Sequence, residues 1–254
     1  MIAEKRKKLI VDLLNNAEAV AIQDIVDRFN VSAITARRDL ADLEKKGLLV
    51  RTHGGAIKPE ESANGFLFFD QKVEHNKEKK EEICRIAAKY VNDNDTIFID
   101  CGSTIFRICK YIKNVRNLII ITNSLPVVSE LITVNNIKIN LVGGEVDQQR
   151  RAVYGSTAEK FISGYYADKA FIGADGVSLE YGLTSYDEKE SSVTKAMAHY
   201  SGEVFLLCDS SKLEKRSYLK FAPLDIVDHL ITDSEIDKKD LDNYRGSGID
   251  VVTG

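Results

Sequence analysis

Six apolar runs in the last two thirds of this chain end in a small or acidic polar residue. The run from Thr96 stops at Asp100, that from Leu118 at Thr122, and that from Ile139 at Gly143 and Gly144. Those from Ala170, Val204 and His229 stop at Asp175, Asp209 and Asp233. Acceptors, hydroxyls and glycines repeated at the same place suit recognition of a small polar ligand. The sharpest stretch is Asp100-Cys101-Gly102-Ser103-Thr104, followed by a helix carrying Ile105, Ile108 and Ile112. Gly102 lets the backbone approach closely, Ser103 and Thr104 offer hydroxyls, and a helix N-terminus offers oriented N–H groups, a combination that suits a phosphate. A plain N-cap uses such a turn equally well. Thr122-Asn123-Ser124, ahead of Leu125-Pro126, is a second strand-to-helix turn of this kind, and Asp209-Ser210-Ser211-Lys212 brings a cation to another strand end. Gly182-Leu183-Thr184-Ser185, with Glu188 and Lys195 after it, adds polar groups on a loop and its helix.

A different chemistry is written in Ser32 to Leu40. Ser32 is a good N-cap, and Thr35 sits inside the first turn of the helix it would start. At 100° per residue, Ala33, Ala36, Leu40 and Leu43 share one face, while Ile34, Thr35, Arg38 and Lys45 share the other. Arg37 lies between, where its guanidinium reaches sideways to a phosphate while Thr35 and Arg38 address base edges. Such a helix would enter the major groove of duplex DNA. An ordinary three-helix domain with solvated charges has the same periodicity.

The net charge of −4 disfavours nucleic acid only if it is evenly spread. Residues 1–58 hold 11 Lys and Arg against 8 Asp and Glu, a net +3, and the remainder holds 24 against 31, a net −7. The charge is segregated, as expected when only the N-terminal part meets phosphates. The four cysteines show no CxxC pair and no His spacing suited to zinc, so they read as buried small hydrophobes in a reducing compartment, with no metal site. The opening MIAEKRKKLI has no apolar stretch behind its charges, and no run of about 18 apolar residues occurs, which leads us to expect a soluble cytoplasmic chain with no membrane partner.

The elements that must position these groups fall into two domains, as 254 residues with 44% hydrophobic content allow. Leu9, Ile10, Leu13 and Leu14 line a first helix, and Ile22, Ile25, Val26 and Phe29 recur at i, i+3, i+4, i+7 in a second. Asn30 and Val31 turn into Ser32, giving helix, short turn and recognition helix. Gly47 reads as the C′ glycine of that helix, and Leu48 to Val50 as a strand leading to Arg51-Thr52-His53-Gly54-Gly55, a wing whose Arg51 and His53 can touch a flanking groove. We therefore assign residues 1–58 to a small winged helix-turn-helix domain and 59–73 to a linker. The aromatic stretch Phe66-Leu67-Phe68-Phe69 within the linker should dock on the next domain or on a second subunit. Residues 74–254 open with a helix from Lys77 to Val91 whose inward side carries Ile83, Ile86, Ala87 and Tyr90, a plausible relay between the domains. They then alternate strands and helices, which indicates an α/β domain with a mostly parallel sheet. Ligands of such sheets bind beyond the carboxyl ends of the strands, where the polar residues stand.

VSAITARRDL, LEKKGLL and RTHGGA, in that order, resemble the winged helix-turn-helix signature of the DeoR family of bacterial regulators. The familiar form carries a Glu or similar polar residue where this chain has Ala33, so operator sequence does not transfer. Later motifs are similar, in order, to that family's sensor domain: D-x-G-S-T at Asp100 to Thr104, T-N-S at Thr122 to Ser124, Gly143-Gly144, Gly155, A-F-I-G-A-D-G ending at Gly176, G-L-T-S at Gly182 to Ser185, and D-S-S-K ending at Lys212. The resemblance spans nearly the whole chain. It implies DNA contacts from Ser32, Thr35, Arg37, Arg38, Arg51 and His53. It also implies a phosphorylated-sugar effector held by Asp100, Gly102, Ser103, Thr104, Thr122, Asn123, Ser124, Gly143, Gly144, Arg151, Gly155, Asp175, Gly176, Thr184, Glu188, Lys195, Asp209 and Lys212.

The same resemblance implies a sensor fold similar to ribose-5-phosphate isomerase, and hence a second functional class, a sugar-phosphate isomerase. Those enzymes carry a Glu in a GADE-like run where this chain has Gly176 after Asp175. The sequence reading is therefore a DNA-binding repressor of a sugar or sugar-phosphate catabolic operon, with no catalytic residue and no cofactor. One helix reads only a few base pairs, so a homodimer or homotetramer on repeated half-sites is expected.

Overall fold

The computed structural model describes residues 3–16, 19–45, 48–51, 55–57 and 69–254. It divides into two compact units, Met1–Lys72 and Val73–Gly254.

The first unit runs α1 (Ala3–Asn16), β1 (Ala19–Ala21), α2 (Ile22–Phe29), α3 (Ala33–Lys45), β2 (Val50–Arg51) and β3 (Gly55–Ile57). Ile10 and Leu14 of α1, Ile25 of α2, and Ala36, Leu40 and Leu43 of α3 share its core. Ala33, expected on that packed face, is instead exposed, because it sits in the first turn where α3 projects past the core. Asn30 closes α2 in the left-handed region at φ 50°, and the chain turns directly into α3. At the far end of α3 the Leu48 amide donates to the Leu43 carbonyl at 2.9 Å. Gly47 itself, and with it the expected cap, lies outside the described residues. The three strands form an antiparallel sheet in the order β1-β3-β2, whose β2–β3 hairpin is the wing. Strand β1 gave no signal in the sequence. Gly55 reveals its constraint, since a Cβ there would stand 2.0 Å from the Val20 carbonyl oxygen of β1.

The second unit begins with α4 (Phe69–Glu74), which crosses the boundary between the units, and α5 (Lys77–Ala87). Phe69 is buried, and Phe66 to Phe68 lie outside the described residues. There follow β4 (Thr96–Ile99), a 3-10 turn (Ile105–Ile108) running into α6 (Cys109–Ile112), β5 (Leu118–Thr122), α7 (Leu125–Leu131), β6 (Ile137–Leu141), β7 (Glu145–Asp147), β8 (Ala152–Tyr154) and α8 (Ser156–Ile162). The remainder is β9 (Ala167–Ile172), β10 (Gly176–Ser178), β11 (Gly182–Ser185), α9 (Glu188–His199), β12 (Ser201–Leu207), β13 (Leu219–Ala222), β14 (His229–Ile231), α10 (Lys238–Gly246) and β15 (Asp250–Val252).

Seven strands form one sheet in the order β15-β14-β12-β9-β4-β5-β6, and every pairing in it is parallel. Side chains alternate between its two faces. Ile97, Ile99, Ile120, Phe171, Phe205 and Leu207 enter one core, and Phe98, Ile121, Ala170, Ile172, Val204 and Leu206 enter the other. Helices cover both faces, which is why the strands read as unbroken apolar runs. Two antiparallel additions stand apart, β7–β8 and β10–β11–β13. Their short, Gly-bounded segments gave no strand signal.

Candidate functional site

On the first unit, the outward side of α3 is set by what its inward side holds. Asp39, in the recognition helix, accepts Arg6 Nε at 2.6 Å and Arg6 Nη2 at 3.2 Å, and both residues are buried. Lys7 Nζ donates to Asp42 at 2.8 Å. These two ion pairs fix the roll of α3 against α1. Arg37 and Arg38 are thereby left exposed beside Ile34, which is 77% exposed. Ser32 Oγ accepts the Thr35 amide at 3.2 Å and shares a 2.9 Å hydrogen bond with Thr35 Oγ1, so both polar side chains serve the N-cap. Arg51 lies in β2, but its side chain, like His53 altogether, falls outside the described residues.

On the second unit, sheet order turns the polar strand ends into a row. From β14 to β6 it reads Asp233, Asp209, Asp175, Asp100, Thr122 with Asn123, and Gly143. The chain winds outward from β4 through β5 to β6, then returns to start β9 on the other side of β4. The topological switch point, where such sheets open a crevice, thus lies between Asp100 and Asp175.

Asp100 is buried. Its carboxylate accepts the Cys101 amide at 2.8 Å and Thr194 Oγ1 at 3.0 Å, but burial pushes its pKa above the usual carboxylate range in spite of these bonds. The 3-10 turn beyond Thr104 has no side-chain cap, so the Gly-Ser-Thr hydroxyls do not close a helix here. Ser103 instead accepts a hydrogen bond at 3.3 Å from Lys80 Nζ, a lysine only 2% exposed. Across the sheet, Asp209 accepts Asn76 Nδ2 at 3.2 Å and the Ser211 hydroxyl. Burial raises its pKa, yet Lys212, Ser211, Lys80 and Asn76 together outweigh that and hold it below the usual range. Lys212 Nζ donates to the Ala174 carbonyl at 3.0 Å; burial lowers its pKa, and the neighbouring Asp175 and Asp209 more than restore it. Asp175 accepts Ser185 Oγ and the Tyr186 amide, each at 3.3 Å. Arg150 is buried and paired with Glu190, and Tyr154 hydrogen-bonds the Cys101 thiol at 3.1 Å. Asn123 is fully buried, donates from Nδ2 to the Val153 carbonyl at 3.3 Å, and leaves Oδ1 without a hydrogen-bond partner.

Several residues expected at the site do other work. Glu188 and Lys195 are seven apart on α9 and share its exposed side; Glu190 and Thr194 occupy the side turned to Arg150 and Asp100. Arg151 is exposed in the left-handed region at φ 53°, while its neighbour Arg150 is carried inward by the turn in which Asp147 accepts the Gln149 and Arg150 amides. Three hydroxyls are spent within the fold. Thr122 donates to the Ile99 carbonyl at 2.6 Å, Ser124 caps α7 through the Val127 amide, and Thr184 donates to the Gly176 carbonyl at 3.0 Å. Gly144 and Gly176 are needed for close approach, since a Cβ would meet the Tyr154 carbonyl at 2.5 Å and the Lys215 carbonyl at 2.6 Å. Gly155 begins α8 at φ 99°, and Gly143 is exposed.

The residues missed were Arg6, Asp39, Lys80, Arg150 and Glu190. Four carried a signal, a charge on an apolar helical stripe: Arg6 ahead of Ile10 and Leu14, Asp39 between Ala36 and Leu43, Lys80 ahead of Ile83, Cys84 and Ala87, and Glu190 ahead of Val193 and Met197. Arg150 sits in a turn and carried none.

Residues 6–62 match the DeoR-like helix-turn-helix domain, and residues 75–234 match the DeoR C terminal sensor domain. The chain belongs to the DeoR family. It is 32% identical to the HTH-type transcriptional regulator GlpR of Haloferax volcanii over 100% of this chain and 99% of that one. It is also 32% identical to the HTH-type transcriptional repressor GlcR of Bacillus subtilis, over 99% and 96%. The glycerol-3-phosphate regulon repressor of Escherichia coli is 31% identical over 91% and 90%. Among solved structures, ribose 5-phosphate isomerase A of Methanocaldococcus jannaschii aligns over 54% of this chain and 55% of its own, with a TM-score of 0.38 and 21% identity. As a DeoR-family transcriptional regulator, the protein joins a DNA-binding helix-turn-helix unit to a sensor domain, and the buried charge cluster lies in the latter. No described helix is long and apolar enough to cross a membrane.

Proposed function

We propose that this regulator represses a sugar or sugar-phosphate catabolic operon in the cytoplasm, and that a phosphorylated sugar, bound but not transformed, controls its hold on DNA. The observation that carries the effector class is Lys80. A buried cation directed at Ser103, in a loop whose hydroxyls cap no helix, suits a phosphate. Asp175, Lys212 and the free acceptor Asn123 Oδ1 lie along the same row of strand ends and suit the hydroxyls of the sugar. No cofactor is invoked. An isomerase would need a free carboxylate base beside the sugar carbons. Here Asp175 is engaged by Ser185 and Tyr186, and Gly176 follows it. On the DNA side, Arg37 and Arg38 are exposed cations on α3, and a symmetric dimer or tetramer would set two such helices on repeated half-sites.

Both halves are tested on the full chain. Calorimetry compares ribose 5-phosphate, glucose 6-phosphate, fructose 6-phosphate and glycerol 3-phosphate with their unphosphorylated counterparts. At least one phosphorylated form should bind tighter by about 1.5 to 3 kcal/mol for each charge-assisted hydrogen bond; equal affinities overturn the phosphate assignment. Incubation of the best binder with the protein in deuterated water should leave its C1 and C2 protons unexchanged, and exchange on the order of 1 per second would make the protein an isomerase. On duplexes selected from random sequence, Arg38→Ala should weaken binding by about 1 to 3 kcal/mol. Unchanged binding in both Arg37→Ala and Arg38→Ala would remove α3 from the interface.

A further inference from the structure

The chain makes one sharp turn just after the boundary between the units, and the sensor's own strand-end loops hold that turn in place. Helix α4 ends at Glu74, α5 begins at Lys77, and Asn76 between them stands at φ 51° and ψ 37°. This is the left-handed region, which Asn tolerates better than most residues. The Asn76 side chain does not cap α5. Its amide instead reaches across more than 130 positions of sequence to donate to Asp209 Oδ1 and Ser211 Oγ, each at 3.2 Å. One turn further along α5, Lys79 donates to Ser210 Oγ at 3.0 Å, and Lys80 donates to Ser103. The first turn of α5 is thus fastened to two of the loops that form the charge cluster. It also follows directly on α4, the helix that crosses from Lys72 to Val73.

We propose that Asn76 is the hinge through which occupancy of the effector site reaches the connection to the DNA-binding unit. This rests on the effector reading given above. The first turn of α5 is held at both ends of this cluster: Asn76 donates to Asp209 and Ser211, and Lys80 donates to Ser103. A phosphate at Ser103 gives the Lys80 ammonium a second, charged acceptor at that loop and so holds the first turn of α5 against it. The Asn76 bonds to Asp209 and Ser211 then carry that order into the α4–α5 turn. Without the anion, the turn opens more often. Such coupling requires only that the phosphorylated compound interact differently with the two states of one turn. Asn76 takes no part in binding; it converts binding into order at the connector.

Hydrogen exchange on the full chain tests this without knowledge of the operator. The probe is the tightest binder among ribose 5-phosphate, glucose 6-phosphate, fructose 6-phosphate and glycerol 3-phosphate. In the wild type, saturation should slow amide exchange across residues 69–80 by about fivefold or more. Asn76→Gly tolerates the left-handed backbone but removes the amide donor. It should keep calorimetric affinity for the probe within about threefold and lose the slowing at the connector. Ser211→Ala, which removes one acceptor and leaves the hinge backbone untouched, should reduce the slowing by a smaller factor. Retention of the full wild-type slowing in Asn76→Gly, with the probe bound, overturns the hinge. Loss of probe affinity in Asn76→Gly, with the fold intact by circular dichroism, also overturns it, because Asn76 would then be a binding residue. Failure of all four compounds to bind the wild type defeats the effector reading itself, and the hinge with it.

Discussion

The two units use charge in opposite ways. In the DNA-binding unit the buried ions, Arg6 with Asp39, orient a helix, and Arg37 and Arg38 on that helix stand in solvent. In the sensor the order is reversed: Lys80, Arg150, Asp100 and Asp209 are buried at the strand ends, and Glu188 and Lys195 on the outside do nothing visible for the site. On the function proposed above, ligand size accounts for the contrast. A duplex is a long polyanion that only a surface can meet, and much of the binding comes from released counterions. A small phosphate can be surrounded, and desolvated donors around it hold it more strongly than exposed ones would.

The comparison breaks most visibly at Arg6. Arg6→Ala should strand the buried Asp39 carboxylate, at about 3 kcal/mol for a broken buried pair. A unit of some 70 residues has little stability to spare. Its thermal transition should therefore drop sharply while the sensor's own transition stays where it was, and a single shared drop in both units would show that they do not fold independently.

A smaller effect, about 1.5 to 3 kcal/mol, is expected at Lys80. Lys80→Met keeps the length of the side chain and removes the charge. Calorimetry should show weaker binding of the phosphorylated compound and unchanged binding of its unphosphorylated form. Equal loss for both would mean that Lys80 holds the loop and not the phosphate.

The two buried aspartates sharpen the contrast within the sensor by opposite pH responses. Burial leaves Asp100 with a raised pKa, so the folded chain keeps its proton to a higher pH than the unfolded chain. The stability it contributes at low pH is lost as pH climbs through that raised value. Asp100→Asn should then melt higher than wild type at neutral pH, by about 2 to 4 °C for each kcal/mol recovered, with the gap closing in acid. Asp209 is lowered instead, so its contribution is present above the ordinary aspartate range and is lost as pH falls below it. Asp209→Asn should melt lower than wild type at neutral pH. Parallel melting curves across pH 3 to 8 in both variants would show that neither acid is tuned by its surroundings.

Sequence alone determined the first three helices and six of the seven strands of the main sheet, though not β1, β15 or the two antiparallel additions. Apolar stripes at i, i+3, i+4 gave α1 and α2, the Ser32 cap gave the start of α3, and unbroken β-branched runs gave a sheet covered on both faces. Those signals are local, because the hydrogen bonds and faces of a helix or strand are set within a few residues. The polar strand ends were legible for the same reason. Which of them meet was not. Asp100 and Asp175 flank the switch point only because β9 returns to lie beside β4, and Asn76 reaches Asp209 only because α5 starts beside the end of β12.

The direction of each charged side chain also waited for the tertiary structure. Glu188 and Glu190 sit in one helix two residues apart, about 200° around its axis, and the packing of α9 decides which of them faces Arg150. Arg150 and Arg151 are adjacent in sequence, and a left-handed turn at one sends the other inward. Burying a charge is costly unless a partner waits for it, and that partner comes from another element: Asp39 for Arg6, Ser103 for Lys80, Arg150 for Glu190. Residue types and helical phase are properties of a local stretch of chain, but a buried ion pair is a property of two distant stretches brought together. That is why the sequence determined which residue types could serve a site, and only the folded sheet decided which of them lie together.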